Sequence, residues 1–338
     1  MKILVIGGTG VISRAIISEG IKAGHDMIAL NRGLRKVNFA VEPQTILADW
    51  SDAAAFREKT AGISADVVID MLSRTREDTQ RTLTCFGGST RQWIFTSTTS
   101  AYRKPYTCYP IREADARPWD NPAFSYAFGK ARMEAWLFDK MREIDAPITI
   151  IRPSLTYGEG CANIGVLRQN ANIVRRIRQG KPLLLYDDGK TVFTFTFAPD
   201  LARGYLACCL NPAAYGQDFH ITSRNAADME TYYRAFGKIV GSEPRFAYLP
   251  SKTLFDLDPR QFDHIWYEKR FSHIFSLDKI KQAAPDWEPQ ISLEDGLRHM
   301  IAWWEAQQIS PDAEKNALED RLCARANWDQ GLPGTDRV

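Results

Sequence analysis

Tyr126 and Lys130 are the two residues of this chain whose type and spacing most directly suggest chemistry. They lie four positions apart in the segment YAFGK, within a helix expected over about 124–144, so their side chains share one helical face. An unassisted tyrosine has a pKa of about 10, which is too high for a proton acceptor at neutral pH. A nearby ammonium group favours the phenolate, so Tyr126 can act as a general base and, in reverse, as a general acid. Alone the pair is a weak signal, because both residue types are common on helix surfaces.

A run of hydroxyl side chains provides a second candidate. The segment TSTTSAY over 96–102 closes the fifth expected strand, 92–97. In open parallel sheets, ligands bind beyond the carboxyl ends of the strands. A hydroxyl there can hydrogen-bond the oxygen of an alcohol under oxidation and align it with Tyr126. The alternative is a Ser/Thr-rich turn whose hydroxyls satisfy their own backbone.

The beginning of the chain indicates the scaffold that would position these side chains. The apolar run KILVI at 2–6 is typical of a buried parallel strand and leads directly into GGTG at 7–10. A helix follows over 14–23, Gly24 ends it, and a second strand is expected at 27–30. This order predicts a dinucleotide-binding turn, in which backbone amides at the start of a helix meet a phosphate. Glycine turns also join strands to helices without any ligand.

Two departures from the usual dinucleotide fingerprint bear on the cofactor. Ser13 occupies the position of the third glycine, where a small side chain is compatible with helix–strand packing. At the end of the second strand an acid would be expected for the ribose hydroxyls of NAD, but the chain has Asn31 and Arg32, with Arg35 and Lys36 close behind. A guanidinium suits a ribose phosphate, so NADP is preferred over NAD. A solvated arginine in a loop would give the same pattern.

The alternation of strands and helices continues through the first half of the chain. Further strands are expected at 45–49, 66–70, 92–97 and 147–153, and further helices at 52–60, 76–86 and 124–144. This alternation predicts an α/β fold, a Rossmann-type doubly wound parallel sheet. Beyond Pro153 the pattern is less regular, with helices expected at 165–179, 199–210, 229–240 and 311–325 and strands at 191–197 and 218–222. We expect a smaller C-terminal α/β substrate domain.

The expected domain boundaries follow from this change of pattern. Residues 1–157, with a return segment at about 189–225, form the dinucleotide-binding domain. Residues 158–188 and 226–305 form the substrate domain, and residues 306–338 form a helical tail.

Composition limits the partners. The 338 residues carry 43 Lys and Arg against 41 Asp and Glu, so bulk charge favours neither a nucleic-acid nor a membrane partner. The six cysteines show no CxxC pair and no signal peptide precedes the first strand, which favours free thiols in a reducing cytoplasm. The five histidines are scattered, and no metal site is expected. No segment reaches the roughly twenty apolar residues of a membrane span.

Four motifs together establish a resemblance. GGTGVIS, STTSAY, YAFGK and IIRPSLTYG occur in this order, followed by DFHITS and SLEDGLRHMIAWW. The chain resembles the extended or atypical short-chain dehydrogenase/reductase superfamily, in its NAD-dependent epimerase/dehydratase group. By position the resemblance implies that Thr98 is the catalytic Ser/Thr, Tyr126 the general acid/base and Lys130 its assisting lysine, which also holds the cofactor ribose.

The resemblance also implies a set of cofactor-binding residues. Besides Lys130 and Ser13, these are Gly7, Gly10, Val11 and Ile12 at the pyrophosphate turn, Asn31 and Arg32 after the second strand, Asp49 and Trp50 near the adenine, Met71 after the fourth strand, and Pro153 and Ser154 beside the nicotinamide. Met71 has packing as its alternative role. Arg74, nearby, could meet an anionic substrate or face solvent.

Two departures from the group bear on the reaction. Dehydratases of the group carry an Asp-Glu pair after the catalytic Thr, where this chain has Thr99 and Ser100, which argues against dehydration. Members that act on nucleotide sugars carry an Arg-Asp pair and a later His where this chain has Phe193, Thr194 and Phe197. The missing guanidinium argues against a nucleotide sugar and favours a smaller polyhydroxy, sugar-like substrate.

Two functions remain open at this stage. The first is an NAD(P)-dependent oxidoreductase or epimerase that moves a hydride at a secondary alcohol or ketone. The second is a non-catalytic NAD(P)-sensing or RNA-binding protein of the same fold, because fold alone does not decide function. The retained Tyr126–Lys130 pair favours the first. A homodimer through the helices around Phe86 and Tyr126 is a further possibility.

Overall fold

A computed structural model describes residues 1–88, 90–144, 146–162, 165–169 and 171–329. Its strands are β1 Lys2–Ile6, β2 Asp26–Asn31, β3 Gln44–Leu47, β4 Val67–Asp70, β5 Gln92–Thr96, β6 Ile148–Pro153, β7 Leu155–Tyr157, β8 Leu183–Tyr186, β9 Val192–Phe197, β10 Gln217–Ile221, β11 Ala226–Asp228 and β12 Phe246–Leu249. Its α-helices are α1 Val11–Lys22, α2 Ala53–Thr60, α3 Arg76–Phe86, α4 Ser125–Ile144, α5 Asn172–Arg178, α6 Ala198–Cys208, α7 Met229–Val240, α8 Ser251–Leu257, α9 Pro259–His264, α10 Asp278–Ala283, α11 Leu293–Ala306 and α12 Ala313–Asp329. Short turns of other helix types lie at Thr99–Ala101, Pro212–Ala214 and Ile265–Lys269.

The main sheet has seven parallel strands in the order β10-β6-β5-β4-β1-β2-β3. The chain order reverses between β1 and β4, which is the topological switch point where such sheets bind ligands. The predicted α/β fold, a Rossmann-type doubly wound sheet, is confirmed. The glycine turn after β1 lies at this switch point.

The core explains why the strands read as continuous apolar runs. Along β1, Ile3 and Val5 pack on one face of the sheet with α1 and α6, whereas Leu4 and Ile6 pack on the other face with α4. All four side chains have no exposed surface. Because both faces are covered, strict alternation of apolar and polar residues is absent, as expected for a parallel sheet.

The chain divides into two compact units. Unit 1 comprises Met1–Thr156, Ala198–Ser223 and Phe275–Gln290, and unit 2 comprises Tyr157–Phe197, Arg224–Ile274 and Ile291–Val338. The sequence pattern predicts 189–197 in the dinucleotide-binding domain and 275–290 in the substrate domain. In the structure, 189–197 belongs to unit 2 and 275–290 to unit 1. The segment 275–290 belongs to unit 1 because α10 packs against β10. This contact joins distant parts of the chain, so the periodicity of apolar residues does not reveal it.

Unit 2 contains two small ladders, an antiparallel pair of β9 with β11 and a parallel pair of β8 with β12. Helix α12 packs against β8 and β12, so the expected tail lies within this unit as far as Asp329. Residues 330–338 of that tail lie outside the described residues.

One expected helix is wrong in length. The sequence predicted a helix over 165–179, but α5 covers only Asn172–Arg178. Gly165 and Arg168 have φ angles of +76° and +51°, in the left-handed region that a right-handed helix excludes. Apolar spacing alone did not reveal this local turn.

Candidate active site

The glycine turn is fixed to the end of β2. The amides of Gly7 and Gly8 both donate to the carbonyl of Leu30, at 2.8 and 3.2 Å. Gly7 has a φ of +89°, and a Cβ on it would lie 2.8 Å from the side chain of Leu72. Both the backbone angle and the close approach therefore require glycine at position 7.

Ser13 has a more specific role than the packing expected from the sequence. Its Oγ donates to the carbonyl of Gly7 at 2.7 Å and accepts from the amide of Gly10 at 2.9 Å. The hydroxyl thus ties the turn to the first turn of α1. The first amides of a helix have no intrahelical acceptor, so those of Val11 and Ile12 are suited to donate to a phosphate. The turn fits the pyrophosphate of a dinucleotide.

The residues expected near the adenosine lie beyond β2 and β3. Asn31 Oδ1 accepts from the amide of Gly33 at 2.7 Å, which shapes the turn that carries the exposed Arg32. Asp49 Oδ1 accepts from the hydroxyl and the amide of Ser51 at 2.7 and 2.9 Å. These hydrogen bonds, and then the positive charge of Arg32, hold the pKa of Asp49 below its usual range. Arg32 and Asp49 are therefore electrostatically coupled.

Trp50 has a partner that the sequence analysis missed. The guanidinium of Arg81, on α3, lies 4.8 Å from the centroid of the Trp50 ring, and its Nη1 donates to the Trp50 carbonyl at 2.7 Å. The ring also meets Phe56 edge-on at 4.8 Å. Since Arg81 is 31 positions away in sequence, no local signal could have identified it.

Asp70 organises the segment after β4. Its Oδ1 accepts from the amides of Leu72 and Ser73 at 2.8 and 2.9 Å, and its Oδ2 accepts from the hydroxyls of Ser73 and Thr82. Met71 lies in this segment and is expected from the sequence to face the cofactor, with packing as its alternative role. Met71 is half-buried, packs against the α1–α6 side of the core and accepts a hydrogen bond from Thr96 Oγ1 at 3.0 Å.

Lys130 is held at the carboxyl ends of two strands. Its side chain is only 3% exposed, and Nζ donates at 2.6 Å to the carbonyls of both Ser73 and Thr96. Burial lowers the pKa of Lys130 to about 8, although the carboxylates of Asp70 and Glu134 act in the opposite direction. The bond to Thr96 brings Lys130 next to the hydroxyl run.

Tyr126 lies one helical turn before Lys130 on α4, with a side chain that is 41% exposed. The guanidinium of Arg74, itself exposed, lies 5.9 Å from the centroid of its ring. The helix thus presents an accessible phenol and a buried ammonium on the same face. This arrangement matches what general acid/base chemistry by Tyr126 requires.

Thr98 caps its own turn. Its Oγ1 accepts from the amide of Ser100 at 3.1 Å and donates to Ser100 Oγ at 3.0 Å. These contacts of the Thr98 hydroxyl therefore match the alternative stated from the sequence, a Ser/Thr-rich turn whose hydroxyls bond to groups of the same turn. The neighbouring Ser97 Oγ is buried without a hydrogen-bond partner among the described residues. It is a further candidate, which the sequence analysis did not distinguish within the run.

Pro153 and Ser154 follow directly on β6, and Pro153 is its last residue. The carbonyl of Pro153 accepts from Thr99 Oγ1 at 3.3 Å. The ends of β5 and β6 are thus connected at the candidate site. Ser154 is half-buried between β6 and β7.

The described residues offer neither a cluster of metal ligands nor a membrane-spanning helix. No group of three or more His, Cys, Asp or Glu side chains is placed to hold a metal ion in the described part of the chain. No helix within the described ranges is long and apolar enough to cross a membrane. All six cysteines are free thiols.

Comparison with known proteins identifies several relatives at low identity. A 2'-dehydrokanamycin reductase of Streptomyces kanamyceticus is 22% identical over 99% of this chain and 93% of its own length. A UDP-N-acetyl-alpha-D-glucosaminuronate decarboxylase of Bacillus cytotoxicus is 22% identical over 89% and 97% respectively. The chloroplast stem-loop binding protein of 41 kDa b of Arabidopsis thaliana is 25% identical over 88% and 77%. Two of these names denote enzymes, and one of the enzymes acts on a UDP-sugar.

Solved structures agree on the fold. The epimerase Mth375 of Methanothermobacter thermautotrophicus has a TM-score of 0.74 at 17% identity, covering 90% of this chain and 92% of its own. A UDP-glucose 4-epimerase of Thermotoga maritima, solved with UDP-glucose, has a TM-score of 0.72 at 18% identity, covering 91% and 100%. Such names give no support to the expectation that nucleotide sugars are excluded as substrates.

The family model that matches this chain covers most of the main sheet and the candidate residues on it. It spans residues 3–222 and is described as the NAD dependent epimerase/dehydratase family. This match confirms the resemblance drawn from the four motifs. The chain belongs to the NAD-dependent epimerase/dehydratase family.

Proposed function

We propose that this protein is an NAD(P)-dependent oxidoreductase or epimerase that moves a hydride at a secondary alcohol or ketone of a sugar-like substrate. The observation that carries the proposal is the face of α4, where an exposed Tyr126 lies one turn from a buried Lys130. The ammonium of Lys130 is bound to the carbonyls of Ser73 and Thr96, at the edge of the sheet that carries the glycine turn.

The residues present fit a nicotinamide dinucleotide, which when bound would accept or supply the hydride. The amides of Val11 and Ile12, at the start of α1, would hold the pyrophosphate, and Lys130 would hold the ribose next to the nicotinamide. NADP is the preferred form in this proposal. The support is Arg32, which is exposed beyond β2 and coupled to Asp49, because a guanidinium pairs well with a ribose phosphate.

In this mechanism Tyr126 takes the proton of the substrate hydroxyl at its phenolic oxygen, and returns a proton in the reverse direction. The positive charge of Lys130 stabilises the phenolate that this step requires. Thr98 orients the substrate oxygen, and to do so its hydroxyl exchanges the bond to Ser100 Oγ for one to the substrate. The same three residues serve a dehydrogenase and an epimerase.

The proposal is tested with Tyr126→Phe, which removes only the phenolic oxygen. We expect kcat to fall by roughly a hundredfold or more, since general acid/base catalysis contributes about 10² to 10⁴, while cofactor affinity stays close to that of the wild type. Turnover is measured by absorbance of the reduced cofactor, with sugar alcohols, ketoses and UDP-sugars as candidate substrates. The matched control is Tyr109→Phe at another exposed tyrosine, which should leave kcat unchanged. Full activity of the Tyr126→Phe variant would exclude this mechanism.

A second candidate function is RNA binding, and the observation that favours it is the 25% identity to the stem-loop binding protein. The near balance of 43 basic and 41 acidic residues weighs against it, because nucleic-acid binding draws most of its affinity from phosphate contacts. A structured RNA that binds with a steep salt dependence would support this function, while weak binding without salt dependence would exclude it.

A further inference from the structure

A buried network of charged side chains lies in unit 1 behind the candidate residues. Arg152 is 4% exposed, and its Nε and Nη2 donate to the two carboxylate oxygens of Glu134 at 2.8 and 2.9 Å. Its Nη1 donates to Tyr102 OH at 2.8 Å and to Asp218. Asp218 in turn pairs with Lys279 at 2.5 Å. One guanidinium therefore donates to four oxygens on three residues from different parts of the fold.

The attachment points of this network coincide with the segments that carry the candidate catalytic residues. Glu134 follows Lys130 by four positions on α4, so Tyr126, Lys130 and Glu134 share one helical face. Arg152 immediately precedes Pro153 at the end of β6. Tyr102 directly follows the helical turn Thr99–Ala101, which Thr98 caps. The network thus links α4 to the ends of β5 and β6.

Stability alone does not explain such an arrangement. Buried ion pairs lose much of their Coulombic attraction to desolvation, and well-packed apolar replacements are often equally stable. What a bidentate arginine–carboxylate pair provides instead is a fixed geometry, because the planar fork admits few orientations. Helix α4 must place a proton donor and an ammonium within a few ångströms of the reacting atoms. It therefore requires a fixed orientation.

We propose that Glu134, held by Arg152, is a positioning residue for Lys130 that fixes the candidate face of α4 against the ends of β5 and β6 and balances the buried ammonium. The inference rests on the proposed role of Lys130. It adds a residue that the motif YAFGK does not contain.

The charges around Lys130 determine how the loss of Glu134 should change the pKa of Lys130. Burial lowers the pKa of Lys130 to about 8. Burial is opposed by three carboxylates, those of Asp70 at the end of β4, Glu134 on α4 and Asp78 on α3. The guanidinium of Arg74 adds to the lowering. The carbonyls of Ser73 and Thr96 are the hydrogen-bond acceptors. Removing the charge of Glu134 should therefore lower the pKa of Lys130 further.

The test is an NMR titration of Lys130 in the full-length protein without cofactor or substrate, with Lys130→Met used to assign the signal. We expect Glu134→Gln to lower the pKa of Lys130 by roughly half a unit or more, given that an opposite charge nearby shifts a pKa by about one to three units. Glu134→Asp keeps the charge and should give a value between those of the wild type and Glu134→Gln.

The matched control is Glu319→Gln in unit 2. Glu319 is also a buried glutamate, paired with the buried Arg176 at 3.2 Å. The Glu319→Gln substitution should leave the pKa of Lys130 unchanged. A pKa of Lys130 that is the same in Glu134→Gln as in the wild type would overturn the inference. If Glu134→Gln does not fold, Arg152→Lys, which lacks the planar fork that holds Glu134, is titrated in its place, and an unchanged pKa of Lys130 then overturns the inference. Because the readout needs no turnover, failure of the proposed function, seen with Tyr126→Phe, is distinguishable from failure here.

Discussion

At the scale of single residues, the buried ammonium of Lys130 lowers the free energy of unfolding. Its ammonium is buried with two carbonyl acceptors, and burial lowers its pKa from 10.5 to about 8. Below about pH 8 the lysine is charged in both the folded and the unfolded protein, so the folded state carries the desolvation cost. Between about pH 8 and 10.5 the folded protein releases the proton first, and this cost disappears.

A pH-dependent comparison with Lys130→Met checks this reasoning. Between about pH 7.5 and about pH 9.5 the free energy of unfolding of the wild type should rise by about 2 kcal/mol relative to that of the variant. Urea unfolding of both proteins across this range gives the difference directly. A difference that is constant with pH would mean that Lys130 titrates at its ordinary pKa in the folded protein.

At this scale the sequence predicts only relations between residues that are close together along the chain. Tyr126 and Lys130 share a face because helix geometry fixes positions four residues apart. The contacts of Lys130 with Ser73 and Thr96, and the bond of Arg81 to Trp50, join residues distant in sequence. Neither could have been predicted without the fold.

At the scale of elements, the glycine turn combines an unfavourable backbone angle with a close approach of a neighbouring side chain. Gly7 and Gly24 both have positive φ angles, +89° and +77°, at opposite ends of α1. A Cβ on Gly7 would lie 2.8 Å from Leu72, whereas a Cβ on Gly24 would meet nothing within 4 Å. A side chain at Gly24 would therefore meet backbone strain alone, whereas a side chain at Gly7 would meet both backbone strain and steric overlap.

Alanine substitutions at these two glycines measure that separation. Gly24→Ala should cost about 1 kcal/mol of stability, because only the left-handed backbone angle is unfavourable. Gly7→Ala should cost more and should also weaken binding of NADPH roughly tenfold or more, since the same strained backbone angle is combined with an overlap that either the turn or the Leu72 side chain must relieve. Thermal unfolding and cofactor titration of both variants provide the comparison. Equal losses of stability and unchanged NADPH affinity would contradict this role of Gly7.

The elements of the first half could be predicted from the sequence because each strand is an apolar run bounded by turns. For example, α3 spans Arg76–Phe86 as expected. The shortened α5 could not, because the positive φ of Arg168 is a local exception that residue type does not announce.

At the scale of the whole molecule, each of the two units contains a buried arginine–glutamate pair, Arg152 with Glu134 in unit 1 and Arg176 with Glu319 in unit 2. In unit 2, Arg176 has no exposed side-chain surface and connects α5 to α12 through Glu319 and Asp320. The sequence predicts the C-terminal segment only as a helical tail, because its partner strands β8 and β12 are far away in the chain.

Removing one partner of this pair should destabilise unit 2 selectively. We expect Glu319→Ala to lower the stability of unit 2 by about 3 kcal/mol, because a buried guanidinium loses a carboxylate partner. Hydrogen exchange should then show faster exchange in β8, β12 and α12, with β1 unchanged. Glu314→Ala, at an exposed position of α12, is the control and should have no such effect. Uniform loss of protection in both units would contradict independent stabilisation.

We propose that the glycine turn and the Tyr126–Lys130 face together form a nicotinamide dinucleotide site. Calorimetric titration of the purified protein with NADPH and with NADH measures this binding without any knowledge of the substrate. We expect one dinucleotide bound per chain, with NADPH bound more tightly because of Arg32. If neither dinucleotide binds, the proposed site does not exist.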